Sequence, residues 1–120
     1  MEEIINNIKP GIRQCILSNT DPIHWSYIEQ LPIIKKHFSN ESILVRSYVS
    51  GVSKPETKIY LDAIKCLELE EEDIKDIVYI DDVSEYREKF ESMGGNTISY
   101  DCSKDDVSKL KEELRRFSLI

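Results

Sequence analysis

Cysteine is scarce: Cys15, Cys66 and Cys102 are the only three in 120 residues, widely spaced and without a Cys-x-x-Cys pair. That excludes a disulfide framework and a cysteine-built zinc site, and leaves reduced thiols as the expected state. Four glycines and four prolines are too few for a collagenous or linker-rich chain. Basic residues fall short of acidic ones, 16 against 23, for a net charge of -7. Such a field repels phosphate backbones and anionic membranes, so neither nucleic acid nor a membrane is expected as a partner. No apolar run approaches the length of a membrane span and no charged-then-apolar leader opens the sequence, which places the expected location in the cytoplasm.

What is present reads as an ordinary globular chain, 40% hydrophobic and 32% charged, of a length suited to a single domain over residues 1–120. The densest acidic run, Glu68 to Asp76, contains one lysine, Lys75, and reads as a solvated turn. Four short stretches rich in Ile, Val and Tyr predict strands over Gln14 to Leu17, Ile43 to Tyr48, Ile77 to Ile80 and Thr97 to Tyr100. Apolar residues at helical spacing alternate with them: Ile59, Tyr60, Ala63, Ile64 and Leu67; Tyr86, Phe90 and Met93; Val107, Leu110, Leu114 and Phe117. Ile4, Ile5 and Ile8 predict a short opening helix, ended by Pro10-Gly11, and Trp25 to Phe38 a longer one broken at Pro32. Gly94-Gly95 should close the helix of Phe90. This alternation predicts an α/β fold: a parallel sheet of about four strands with helices on both faces, a three-layer Rossmann-like arrangement.

Three segments carry chemistry. Ile16-Leu17-Ser18-Asn19-Thr20 runs from a hydrophobic strand into small polar side chains, so the Ser18 hydroxyl and nearby backbone N–H groups would face an anion above the sheet edge. Alone, it equally describes a strand-to-helix turn capped by Asn19 or Thr20. Ser53-Lys54-Pro55-Glu56 has capping-box spacing and sets Lys54 at a predicted helix start, where an ammonium and the helix dipole both favour phosphate; a merely solvated lysine fits the same spacing. Ile77-Val78-Tyr79-Ile80-Asp81-Asp82 ends a strand in two adjacent carboxylates, hard oxygen donors suited to Mg²⁺, or else a cap for the next helix.

In that order, a strand ending in Ser-Asn-Thr, a Ser-Lys-Pro and an Ile-Asp-Asp, the chain resembles the C-terminal part of the haloacid dehalogenase (HAD) hydrolase core, motifs two to four, in the phosphatase-like branch. The resemblance implies that Ser18 and Asn19 hold a phosphoryl group, that Lys54 neutralises it and orients a nucleophile, and that Asp82 ligates Mg²⁺ with Asp81 in support. Phosphoryl transfer needs positioning and charge neutralisation, and these residue types supply both. The family's first motif, Asp-x-Asp on the first strand, occurs nowhere in the sequence, and no cap domain fits between the motifs. Tyr86 stands where relatives often carry asparagine.

The expectation is therefore a HAD-like core lacking the first strand, a phosphatase fragment that is inactive alone and binds Mg²⁺ weakly or not at all. Its substrate would be a phosphorylated small molecule if another chain supplied the missing strand. Without that strand the four predicted ones would pair in the order 2-1-3-4. The alternatives are a catalytically silent HAD-like pseudoenzyme or interaction module, and a receiver-like domain, whose order of acidic pair, hydroxyl and lysine does not match. Should hydrolysis occur, Asp101 and Asp21 are the remaining candidate nucleophiles, and His24 a further candidate for the pocket.

Overall fold

Short apolar strands followed by amphipathic helices fold here into small parallel ladders flanked by helices. The structure, a computed structural model, describes residues 2–120. The described residues divide into two compact units, one formed by residues 13–73 and the other by residues 2–12 together with 74–120.

In the unit of residues 13–73, β1 (Ile16–Ser18) pairs in parallel with β2 (Leu44–Arg46), Ile16 opposite Leu44 and Ser18 opposite Arg46. Between them lie α2 (Pro22–Ile28), α3 (Pro32–His37) and a 3-10 turn, Glu41–Ile43. Each helix begins on a proline, whose fixed φ and missing N–H suit a first turn. Pro32 thus divides the 25–38 stretch as expected, by starting the second helix. After β2 come the single turn α4 (Ser47–Ser50) and α5 (Thr57–Cys66). Ile59, Tyr60, Ala63 and Ile64 are the buried face of α5, as their spacing predicts, while Leu67, expected with them, is the half-buried C-cap.

Two boundaries differ from expectation here. The second strand stops at Arg46, and Ser47 and Tyr48 enter α4 instead, because Gly51 at φ 78° closes a helical turn over 47–50. The capping box at Ser53 and Glu56 forms only in part. The Ser53 N–H donates to Glu56 Oε2 at 3.0 Å, but the helix begins one residue later, at Thr57, with Glu56 as its N-cap. Lys54 lies in the preceding turn, joined to Pro55 by a cis peptide.

In the other unit, α1 (Glu2–Asn7) brings Ile4 into a core with Ile98 and Tyr100 and with Leu110 and Leu114 of α7 (Val107–Arg116). Here β3 (Val78–Asp81) pairs in parallel with β4 (Asn96–Ser99), and α6 (Ser84–Ser92) connects them and packs on both. Phe90 is buried and its ring lies 5.5 Å from that of Tyr79, tilted by 59°. Gly94 ends the helix at φ 104°, as the Gly-Gly pair predicts. The acidic run is more ordered than a solvated turn: Glu71–Asp76 form a 3-10 helix that buries Ile74, started by the Glu70 N–H donating to Asp73 Oδ2 at 2.9 Å.

The fold is thus α/β with parallel strands. Among the described residues, ladder pairing comprises two sheets of two strands, β1 with β2 and β3 with β4. No helix among them is long and apolar enough to cross a membrane.

Candidate functional site

The carboxyl ends of β1 and β2 are stitched together by short polar side chains. Ser47 sits where β2 turns into α4; its hydroxyl accepts from the Thr20 N–H and donates to the Thr20 carbonyl, both at 2.8 Å. Asn19 makes a second clasp, in which its Oδ1 accepts from the Lys54 N–H at 2.8 Å and its Nδ2 donates to the Lys54 carbonyl at 3.2 Å. Lys54 in turn reaches over the strand end, Nζ donating to the Leu17 carbonyl at 3.4 Å. Ser18, Asn19 and Lys54 are therefore gathered at one strand edge. Ser18 and Lys54 are half-buried and Asn19 is exposed. Asn19 grips the backbone of Lys54, which makes it a positioning residue for the lysine.

The acidic pair belongs to the other unit, at the carboxyl end of β3. Asp81 Oδ1 accepts from the Val83 N–H at 3.0 Å, ahead of α6, and Oδ2 accepts from the Tyr79 hydroxyl. The Asp81 carbonyl accepts from Arg87 Nη1 at 3.2 Å. Asp81 thus closes the turn ahead of α6, whose N-cap Val83 receives no side-chain cap, while Asp82 is exposed to solvent. Mg²⁺ requires six oxygens in near-ideal octahedral array. Against that requirement, both Asp81 oxygens already accept hydrogen bonds, and no group of three or more His, Cys, Asp or Glu side chains is gathered among the described residues.

The reserve candidates are engaged locally, one as a helix cap and one in a turn. Asp21 is the N-cap of α2, accepting from the His24 N–H at 2.9 Å and contacting His24 Nδ1 at 2.5 Å. The His24 backbone N–H, and then its ring, hold the Asp21 carboxyl below its ordinary range. Asp101 accepts from the Ser103 hydroxyl at 2.6 Å and from the Ser103 N–H at 2.9 Å, and these two bonds lower its carboxyl likewise. Both carboxylates are bound into turns, and His24 is bound to one of them.

Sequence reasoning passed over Arg46. Its guanidinium is buried, 5.4 Å from the Trp25 ring centre and 5.5 Å from that of Tyr48, with Nη1 donating to the Tyr48 hydroxyl at 3.2 Å. The only signal was an arginine inside a predicted strand.

An α/β fold whose parallel strands end in polar clasps is the class these features define. No described protein family matches the sequence, and no curated protein matches it. Among solved structures, it is similar to an uncharacterized protein from Corynebacterium glutamicum ATCC 13032 Kitasato, at 21% identity and a TM-score of 0.69, over 92% of this chain and 74% of that one. At that identity the likeness speaks to the fold alone.

Proposed function

We propose that this chain is the phosphoryl-binding half of a HAD-like core, in which the four strands form one parallel sheet in the order 2-1-3-4 with helices on both faces. Ser18 and Lys54 are its phosphate-binding and catalytic-type groups, Asn19 fixes the lysine, and Asp82, supported by Asp81, is its metal-binding acid. The observation that carries this reading is the Asn19–Lys54 clasp. It brings a hydroxyl and an ammonium to one strand edge, where they can neutralise the oxygens of a phosphoryl group.

These 120 residues contain no Asp-x-Asp, so no covalent nucleophile of that kind is at hand, and what remains is binding and electrostatics. Mg²⁺ affinity should be weak for the same reason. The catalytically silent reading is favoured further by Asp81, whose oxygens are already held. The active reading needs a partner chain that carries the missing strand, added by β-augmentation, and a phosphorylated small molecule as substrate.

The test is a phosphate titration followed by amide NMR, paired with an aryl phosphate hydrolysis assay in Mg²⁺. Weak saturable shifts at Ser18 and Lys54, lost in Lys54→Met, with no hydrolysis, are expected. Mg²⁺-dependent turnover abolished by Asp82→Asn would overturn the silent reading. Absence of any phosphate response at the clasp would overturn the phosphoryl site itself.

A further inference from the structure

A cleft of about 360 Å³ opens within the unit of residues 13–73, walled by the apolar side chains of Trp25, Ile34, Phe38 and Leu44 and reached by Arg46 and Glu41. None of Ser18, Asn19 or Lys54 lines it. Its volume lies at the small end of the range of ligand pockets, and its lining is mixed, the four apolar side chains facing polar ones that include Gln30 and Ser39.

The charge balance inside this cleft is unusual. The Arg46 side chain is only 9% exposed, and a buried guanidinium is costly unless it is paired and its donors are used. Tyr48 takes one bond from Nη1, the rings of Trp25 and Tyr48 flank the cation, and Nε is buried with no hydrogen-bond partner. The nearest carboxylate is Glu41, whose Oε1 stands 3.8 Å from Nη2, beyond hydrogen-bond distance, on a side chain that is 82% exposed. A mobile surface carboxylate held at that distance contributes little. Among the described residues, Arg46 is thus a desolvated cation whose ion-pair partner, Glu41, stands beyond hydrogen-bond distance on an exposed side chain.

We propose that this cleft binds a small monoanionic carboxylate with an apolar body, which takes the place of Glu41 at the guanidinium while its apolar part lies along Trp25, Ile34 and Phe38. The planar fork of arginine matches a carboxylate, and Glu41 marks the direction from which one approaches. A dianion such as phosphate is disfavoured, because Glu29 and Glu41 both border the cleft and only Lys35 adds a second positive charge.

Trp25 is the single tryptophan of the chain and lies against Arg46, so its fluorescence reports on the site directly. The experiment titrates the intact protein with phenylacetate and, in parallel, with uncharged phenylacetamide. A saturable change in Trp25 emission with the acid and none with the amide is expected. Arg46→Met should abolish the response. Because that variant could unfold, the deciding substitution is the exposed Glu41→Gln, which removes the competing carboxylate and should tighten phenylacetate binding by about two- to fivefold. No saturable response to phenylacetate, an equal response to the amide, or an unchanged or weaker affinity in Glu41→Gln would overturn the proposal.

Discussion

Gly95 offers the sharpest test of how the β3–α6–β4 segment is packed. A Cβ placed on it would fall 2.1 Å from Phe90 Cε2, 2.4 Å from Cδ2 and 2.8 Å from Cζ. Carbon atoms pack best at about 3.5–4.0 Å, so in Gly95→Ala the ring would have to retreat by roughly 1.5 Å. Phe90 is only 3% exposed and its ring meets Tyr79, which leaves it little room to move. Unlike Gly94, Gly95 does not have a positive φ, so the penalty is steric rather than conformational. Overpacking of this kind costs about 1–3 kcal/mol. With a urea slope of about 1–3 kcal/mol per molar, the midpoint read by far-UV circular dichroism should fall by roughly 1 M at unchanged slope. Phe90→Leu, which removes the clashing ring edge, should relieve the penalty, so the double variant would be more stable than the sum of the single changes predicts by at least about 1 kcal/mol. A Gly95→Ala protein within about 0.5 kcal/mol of the parent, or strict additivity with Phe90→Leu, would refute the packing argument.

The clasp at the β1 edge gives a second prediction: Asn19→Ala should cost about 1–2 kcal/mol and speed hydrogen exchange at the Lys54 amide. Asn19→Asp, which keeps the acceptor, should preserve protection at that amide; equal exchange in all three proteins would count against the clasp. A third concerns the thiols. The hydrogen bond with Cys66, and then burial, push the Cys15 thiol above its ordinary range, so iodoacetamide should reach exposed Cys102 well before Cys15 as pH rises. Because the folded value is the higher one, Cys15 contributes stability that is complete below the ordinary thiol range and declines as pH rises above it, where only the unfolded chain ionises. Cys15→Ala should flatten that alkaline loss, as followed by thermal melts between neutral and alkaline pH.

Much of the fold was legible because the apolar pattern is simple. The buried faces of α5 and α7 follow their spacing, and each predicted strand overlaps an observed one. The errors arise where polar side chains override propensity. Tyr48 favours a strand, yet the chain turns helical at Ser47, whose hydroxyl bonds the Thr20 backbone in place of a further ladder rung. Pro55 and Glu56 signal a helix start, but that start slips to Thr57 while Glu56 turns back to the Ser53 N–H. The acidic run hid a 3-10 helix because its carboxylates serve as caps as well as charges. Of the candidate site, residue types and strand ends could be read from sequence. The pairing of Asn19 with the Lys54 backbone could not, because it joins positions 35 apart through a side-chain amide. Nor could the burial of Arg46, which depends on the placement of Trp25 and Tyr48.

Glu3 and Lys111 form an ion pair at 2.7 Å although 108 positions separate them, and the Lys9 N–H donates to the Leu119 carbonyl at 2.9 Å. The first helix is thus made first and used last. At synthesis rates of about 5–20 residues per second, it waits roughly 5–20 s for the lysine it pairs with. Residues 13–73 carry both strands of their own ladder and can close it within that interval. Until then Ile4 has no core to enter, because Ile98, Tyr100, Leu110 and Leu114, against which it packs, are all made later.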